Sequence, residues 1–294
     1  WLKRQGVPQA VPTCTRGPGA RRHDDALSKT RLAASSPQMR ARLLAPLRRG
    51  LVTTASPKAI KRFYDASTVQ QIGSSWQVLL DGKVVKTPRG SLLELPAAGV
   101  AQRVADEWGA QGEHLKPKEM PLTTIGCTTV DMVRPERSKC VDRLLPYLAM
   151  DTLCFEDENE LLAERQQAEW GPMRAWFEER FGISLSVSRS LGAPGHADAS
   201  LASVSEALGA RDDWELCALE VATSTAKSLI VGVALLDKPD IAAEDALRLA
   251  LLEEHFQIER WGLVEGEHDV SHKEALTWLE AAQCFAKGRR DSAS

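Results

Sequence analysis

An Asp-Gly pair at residues 81 and 82 is the feature that most constrains the fold of this chain. It lies between two short runs rich in β-forming residues, Trp76–Leu80 and Lys83–Lys86. Because Asp-Gly readily adopts the two positive φ values of a type I′ turn, the pattern predicts a β-hairpin. The Thr87-Pro88 pair ends the second strand, and Ser91–Leu95 predicts a third.

Helical periodicity surrounds this sheet and then dominates the chain. Pro96 begins a predicted helix over Ala97–Trp108, and an amphipathic pattern predicts another over Arg134–Leu145. Short strands are predicted at Thr152–Phe155 and Ile183–Val187. From Asn159 onward, helices are expected at 160–170, 173–181, 199–208, 212–236, 242–261 and 268–286. The sequence therefore predicts an α+β N-terminal domain, residues 58–157, followed by a mainly α-helical C-terminal domain, residues 158–287, and a polar tail, residues 288–294.

The first 57 residues differ from the rest in charge. Residues 1–50 contain eleven Lys and Arg against two Asp, a net charge of +9, which leaves −12 on residues 51–294. An Arg-rich, acid-poor leader that contains Ser and Ala is typical of an organellar transit peptide. One alternative is a nucleic-acid-binding arm. The other is a mistranslated upstream region, which is considered because the chain begins with Trp1. The acidic body argues against nucleic acid as the main partner.

Several classes of site lack their sequence patterns. No run of about 18 uncharged apolar residues occurs, so no membrane insertion is expected. Phosphate-loop, dinucleotide-binding and nucleophile-elbow motifs are missing, and the six cysteines are scattered without a C-x-x-C pair. His268 and His272 are four residues apart, and Glu265 with His268 fits an E-x-x-H pattern, but no second copy accompanies them. Neither a metal nor a cofactor is therefore expected.

The stretch Asp245–Gly262 predicts one helix with a carboxylate on its apolar side. Leu247, Ala250, Leu251, Ile258 and Trp261 share one stripe, and a second apolar line contains Leu249, Leu252 and Phe256. Glu254 falls at position i+7 of the first stripe, where burial is costly without a partner. Periodicity alone leaves open whether Glu254 is buried or lies at the edge of the stripe.

Lys227 is the candidate partner for that carboxylate. It interrupts an apolar run, Leu219–Leu236, within a predicted helix, so its head group either reaches solvent or pairs with Glu254. There are two alternatives to a binding role. One is an enzyme that uses Glu254 as general acid or base, and the other is a structural subunit of a larger assembly. The enzyme requires a polar concave site around Glu254 with a second titratable group nearby.

The residues Leu252–Gly262 resemble the C-terminal signature of the ATP-twelve family, the mitochondrial and α-proteobacterial assembly chaperones of the ATP synthase catalytic head. Other segments follow the same family pattern in order, and the resemblance extends from about Lys61 to Phe285. These segments are Leu79–Pro88, Leu93–Pro96, Glu107 and Trp108 with Gln111, Met120–Thr123, Asp151–Phe155 and Glu169–Pro172.

The resemblance implies a two-domain chaperone that is not an enzyme and uses neither ATP nor metal. The implied client is the unassembled α subunit of the F-type ATP synthase head, held until a β subunit replaces the chaperone. Glu254 matches the family's functional glutamate, and the other implied client-binding residues are Glu253, Gln257, Trp261 and Gly262. No role is carried onto His255, where relatives tend to be acidic. A monomer in the mitochondrial matrix is expected, delivered by the N-terminal transit peptide.

Overall fold

The predicted hairpin lies at the centre of a small sheet in the computed structural model, which describes residues 60–190, 192–262 and 268–293. Strands β1 (Ser67–Ile72), β2 (Ser75–Leu80), β3 (Lys83–Val84) and β4 (Glu94–Leu95) form one antiparallel sheet. Asp81 and Gly82 have φ values of 47° and 79°, the left-handed backbone that a type I′ turn requires. The hairpin is therefore confirmed, and the predicted third strand is present as the shorter β4.

Strand β1 is a strand that the sequence pattern does not predict. It pairs with β2 along its full length, from Ser67 opposite Leu80 to Ile72 opposite Ser75. Most of its side chains are exposed because β1 is an edge strand, so its apolar alternation is weak. The sheet packs against helix α1 (Ala98–Gly109), where Val100 and Val104 are buried.

The remaining helices follow in chain order, and their bounds are α2 Pro121–Thr128, α3 Arg137–Ala149, α4 Glu160–Phe181, α5 Asp198–Gly209, α6 Asp213–Ala226, α7 Leu229–Asp237, α8 Ala243–Ala250, α9 Leu252–Trp261 and α10 His268–Ala293. A π-helical turn, Thr129–Val133, and a 3₁₀ turn, Arg134–Glu136, connect α2 to α3. Helix α10 continues to Ala293, through the stretch predicted as a polar tail.

The two short strands predicted in this part of the chain are wrong. Residues Thr152–Cys154 form a 3₁₀ turn, because the Asp151 carboxylate accepts a hydrogen bond from the Leu153 N–H and closes the turn. The stretch 183–187 contains no strand, and only an isolated bridge joins Phe155 to Ser188.

Helix α4 is continuous where the sequence predicts a break at Gly171-Pro172. Pro172 lies inside the helix, and the fully buried Trp170 and Phe177 anchor it on both sides of the proline. Tertiary packing therefore overrides the local preference of proline. The helix begins after Asn159, whose side chain accepts from two N–H groups, and ends at Gly182 with φ 62°.

The long helix predicted over Asp212–Leu236 is two helices, α6 and α7, which corrects the position of Lys227. Lys227 is at the C-terminal cap of α6 with φ 59°, and its side chain is exposed. Ser228 then begins α7, because its Oγ accepts from the Val231 N–H at 3.0 Å. Lys227 is thus outside any helix interior.

The helix predicted over 242–261 is also two helices, α8 and α9, with Leu251 between them at φ −102° and ψ 13°. The buried residues on either side of this break are Leu249, Leu252 and Phe256, the second of the two predicted apolar lines. The first line, predicted to be buried, is half-buried at Leu251 and Ile258 and ends in an exposed Trp261. The break changes the helical phase, so a stripe drawn through Leu251 does not continue on one face.

A small sheet followed by helices is the α+β and then mainly helical arrangement that the sequence predicts. The described residues belong to one compact unit, Pro57–Ser294, and side chains from both predicted domains contribute to one apolar core. The boundary at residue 157 stays a prediction, and the basic leader lies outside the described residues. No helix in the described ranges is long and apolar enough to span a membrane.

Candidate functional site

Helix α9 carries four of the five predicted client-binding residues, and Gly262 follows it directly. Gly262 adopts φ 82°, which favours glycine, and its N–H donates to the Ile258 carbonyl at 2.8 Å. The helix therefore ends at Trp261.

Three of the four predicted residues of α9 share one face. Leu252 and Phe256 are the buried residues of the helix and lie one turn apart. Glu254, Gln257 and Trp261 occupy positions i, i+3 and i+7, which places them on the side opposite that buried pair. Glu254 and Gln257 are half-buried, whereas Trp261 is 74% exposed. We call these three residues the α9 stripe.

Glu254 of the α9 stripe contacts His272 of α10, with Oε1 and Nε2 3.2 Å apart. The direction of this hydrogen bond depends on the tautomer of His272, and an ionised Glu254 carboxylate would accept it from Nε2–H. The side chain of Glu254 is 32% exposed and that of His272 is 25% exposed. The His255 ring meets the His272 ring edge to face, with centroids 6.3 Å apart. The sequence analysis considers His272 only as a possible metal ligand and does not predict its contact with Glu254.

Glu253 faces a different neighbour, helix α4. Its Oε1 accepts a hydrogen bond from the buried Gln166 at 2.8 Å, and Gln166 in turn accepts from the Asp157 N–H at 2.8 Å. One turn further along α4, the buried indole of Trp170 donates to the Leu249 carbonyl at 3.0 Å. Helix α4 therefore holds the chain on both sides of the break at Leu251.

Ion pairs continue this attachment at the surface. Arg165 of α4 contacts Glu259 of α9 at 2.6 Å, and Glu169 of α4 pairs with Arg248 of α8. The hydrogen bond from Arg165 lowers the pKa of the Glu259 carboxyl. Exposed pairs stabilise little, so these contacts mainly set the orientation of α9.

None of the described contacts places Lys227 next to the α9 stripe. Its carbonyl accepts a hydrogen bond from Thr152 Oγ1 at 3.1 Å, and its side chain points from the cap of α6 into an exposed position. His272 is the described partner of Glu254, and the pairing of Lys227 with Glu254 stays a prediction.

Two further family-pattern carboxylates have structural roles. Glu107 accepts hydrogen bonds from the Leu122 and Thr123 N–H groups at 2.7 and 2.8 Å, which caps the start of α2. Burial raises the pKa of Glu107 despite these hydrogen bonds. Asp151 is fully buried and accepts hydrogen bonds from the Ser228 hydroxyl and the N–H groups of Leu153 and Ile230. Burial raises the pKa of Asp151 to about 6.

Of the two features that the enzyme alternative requires, a second titratable group does lie beside Glu254, since His272 Nε2 is 3.2 Å from Glu254 Oε1, whereas the described cavity lies elsewhere. A cavity of about 250 Å³ is lined by Arg180, Arg211, Glu215, Leu236, Asp237 and Ala286. Apart from Arg211, these residues belong to α4, α6, α7 and α10, and none comes from α9. Among the described cysteines, burial raises the pKa of the Cys127 thiol to about 11 and that of Cys217 to about 12, which disfavours the nucleophilic thiolate. In the described ranges no three His, Cys, Asp or Glu side chains are grouped so that they could hold a metal ion.

Comparison with known proteins gives matches that span most of the chain. A family model described as "ATP12 chaperone protein" matches residues 61–178, from the segment before β1 into α4. The chain is similar to "Protein atp12, mitochondrial" of Schizosaccharomyces pombe, with 26% identity over 242 residues that cover 78% of this chain and 83% of the relative. It is also similar to "Protein ATP12, mitochondrial" of Saccharomyces cerevisiae, with 26% identity over 250 residues, 70% of this chain and 77% of the relative.

A solved structure has the same fold. The crystal structure of Atp12 from Paracoccus denitrificans superposes with a TM-score of 0.71 and 27% sequence identity, covering 79% of this chain and 99% of that chain. The agreement of sequence and fold over this length indicates common descent.

Proposed function

Because this chain belongs to the ATP12 chaperone family, we propose that it is an assembly chaperone for the catalytic head of the F-type ATP synthase. Its client is the unassembled α subunit, which it holds until a β subunit takes its place. It acts by binding and not by catalysis.

The exposure of Trp261 is the observation that carries this proposal. Tryptophan is highly buried on average in soluble proteins, and it is enriched among the residues that dominate binding energy. Trp261 is 74% exposed at the end of α9, while Trp170 and Trp214 are buried in the core. In the α9 stripe, an indole and a carboxylate on one helix face offer an apolar contact beside an acceptor for client donors.

Competition explains how a chaperone without an energy source could work. A subunit interface is large and apolar, so an unpaired α subunit tends to associate with itself. A chaperone that binds the free subunit lowers the concentration of exposed interface by mass action. The net charge of −12 on residues 51–294 favours solubility and would complement basic client surface.

The proposed location is the mitochondrial matrix. The two curated relatives carry "mitochondrial" in their names, and the basic, acid-poor leader has the composition of a transit peptide.

The test is capture of isolated subunits by the immobilised full chain in mild salt. The expected result is retention of the α subunit and its release when the β subunit is added. Failure to retain the α subunit, or retention of the β subunit in its place, would contradict the proposal.

A further inference from the structure

Gly262 has a backbone conformation that is nearly restricted to glycine. Its φ of 82° and ψ of 164° lie in a region where the Cβ of an L-residue collides with its own backbone. Apart from the chain neighbours, a Cβ added at this position would meet no atom within 4 Å, so the space around it is open. The requirement for glycine at this position therefore comes from the backbone and not from packing.

The chain has to reverse its direction soon after Trp261. From Glu254 to Gly262, α9 carries the chain about 12 Å along its axis. His272, four residues after the first residue of α10, is nevertheless beside Glu254, with Nε2 3.2 Å from Oε1. Only residues 263–267 separate Gly262 from α10. An α9 that continued past Trp261 would carry the chain further from the place where α10 begins.

A continued helix would also cover the indole of Trp261. Residues three and four positions further along a helix lie on the same face, and helical side chains lean towards the N-terminus. Val264 and Glu265 would therefore lean over Trp261, and the valine would make an apolar contact with its ring. Because α9 ends at Trp261, the indole has no such neighbours within the helix and is 74% exposed.

We propose that Gly262 is a positioning residue for client binding, which acts by ending α9 directly after Trp261 and so keeping the indole uncovered. The inference rests on the proposed function. Gly262 offers the client no side chain, so its contribution is made through the position of Trp261. An indole packed against a further turn of its own helix would have to leave that contact before it bound the client, and the affinity would fall accordingly.

The experiment compares two glycine-to-alanine variants in the full-length chain. G262A adds a Cβ after α9, and G182A adds one after α4, where Gly182 has φ 62° and the same open space around it. Both variants force alanine into a positive φ, but only G262A does so next to Trp261. We expect G262A to bind the isolated α subunit about tenfold more weakly than the wild type and G182A to bind within about twofold.

Quenching of tryptophan fluorescence by acrylamide reports the exposure of the indole. The contribution of Trp261 is obtained by comparison with Trp261→Phe in each background. We expect this contribution to be readily quenched in the wild type and in G182A, and to lose its accessibility in G262A because the ring is covered. A structural loss elsewhere in G262A would not shield this one indole.

A double-mutant cycle with Trp261→Ala shows whether Gly262 acts through the indole. When the indole is absent, G262A should cause no further loss of affinity beyond about twofold. Equal affinity of G262A and G182A, unchanged quenching of Trp261 in G262A, or a full additional loss in the Trp261→Ala background would overturn the positioning role.

Thermal melting separates this role from a role in folding. The melting temperatures of G262A and G182A should be similar, and a value for G262A more than about 10 °C below that of G182A would overturn the inference, because Gly262 would then serve the fold. A wild-type chain that does not bind the α subunit would instead overturn the proposed function and with it this inference.

Discussion

Replacing Asp151 with asparagine removes an ionisable group that the fold buries completely. The Asp151 carboxylate accepts from the Ser228 hydroxyl at 2.7 Å and from the N–H groups of Leu153 and Ile230 at 3.1 Å. Through these hydrogen bonds it joins the 3₁₀ turn at Thr152–Cys154 to the start of α7. Burial outweighs the hydrogen bonds, so the pKa of Asp151 is raised from 3.8 to about 6.

The sign of the pH effect follows from this direction. Because the folded pKa is above the unfolded one, the folded state binds the proton more tightly, and low pH favours folding at this residue. The stability contributed by protonation is complete below about pH 3.8 and is lost as pH rises through about 6. Two pKa units correspond to about 3 kcal/mol, of which about 2 kcal/mol falls between about pH 4.5 and about pH 7.5.

The assay is urea unfolding of the wild type and D151N at several values across that pH range. The measured quantity is the difference in unfolding free energy between the wild type and D151N. Titrations elsewhere in the protein affect both chains equally and cancel in this difference. The destabilisation caused by the new amide beside three donors is independent of pH, so it does not contribute to the pH dependence. The wild type should gain about 2 kcal/mol relative to D151N as pH falls from about 7.5 to about 4.5. A difference that stays constant, or that moves the other way because the three donors depress the pKa of Asp151, would refute the reasoning.

Three further predictions concern stability measured by urea unfolding. Glu107→Ala should cost about 1–2 kcal/mol, because it removes the carboxylate that caps α2; no change would show that the cap is dispensable. Trp170→Phe should cost about 2–3 kcal/mol through a lost buried hydrogen bond and lost volume, and an effect below about 0.5 kcal/mol would argue against that contact. Gly232→Ala should cost about 2 kcal/mol or more, because a Cβ there would lie 2.5 Å from Thr223 Oγ1, whereas Gly99→Ala, with open space around it, should be neutral or slightly stabilising.

The predictable part of the fold was the part encoded locally. The Asp81-Gly82 turn and the first helix, α1, follow from a few adjacent residues, and the structure has both. The helix breaks at Lys227 and Leu251 were missed because apolar residues continue across them in the sequence. Side chains distant in sequence help to define these breaks: Asp151 contacts Ser228 at the start of α7 across 77 residues.

The sequence predicted which residues belong to the candidate site, but it did not predict which residues of other helices contact them. The spacing of Glu254, Gln257 and Trp261 is a property of one helix, and the family resemblance pointed to these positions. The partners Gln166 and His272 come from α4 and α10, 87 and 18 residues away from the glutamates that they contact. Pairings of that kind depend on how helices pack, which a single sequence does not encode in any local pattern.

Site-specific crosslinking from Trp261 tests the central claim most directly. A photoreactive phenylalanine derivative in place of Trp261 should crosslink the chain to the isolated α subunit. The same derivative in place of Phe63, which is 67% exposed and far from α9 in sequence, serves as a control of matched exposure and should give little product. Crosslinks to the α subunit from position 63 and not from position 261 would contradict the assignment of the α9 stripe as the client-binding surface.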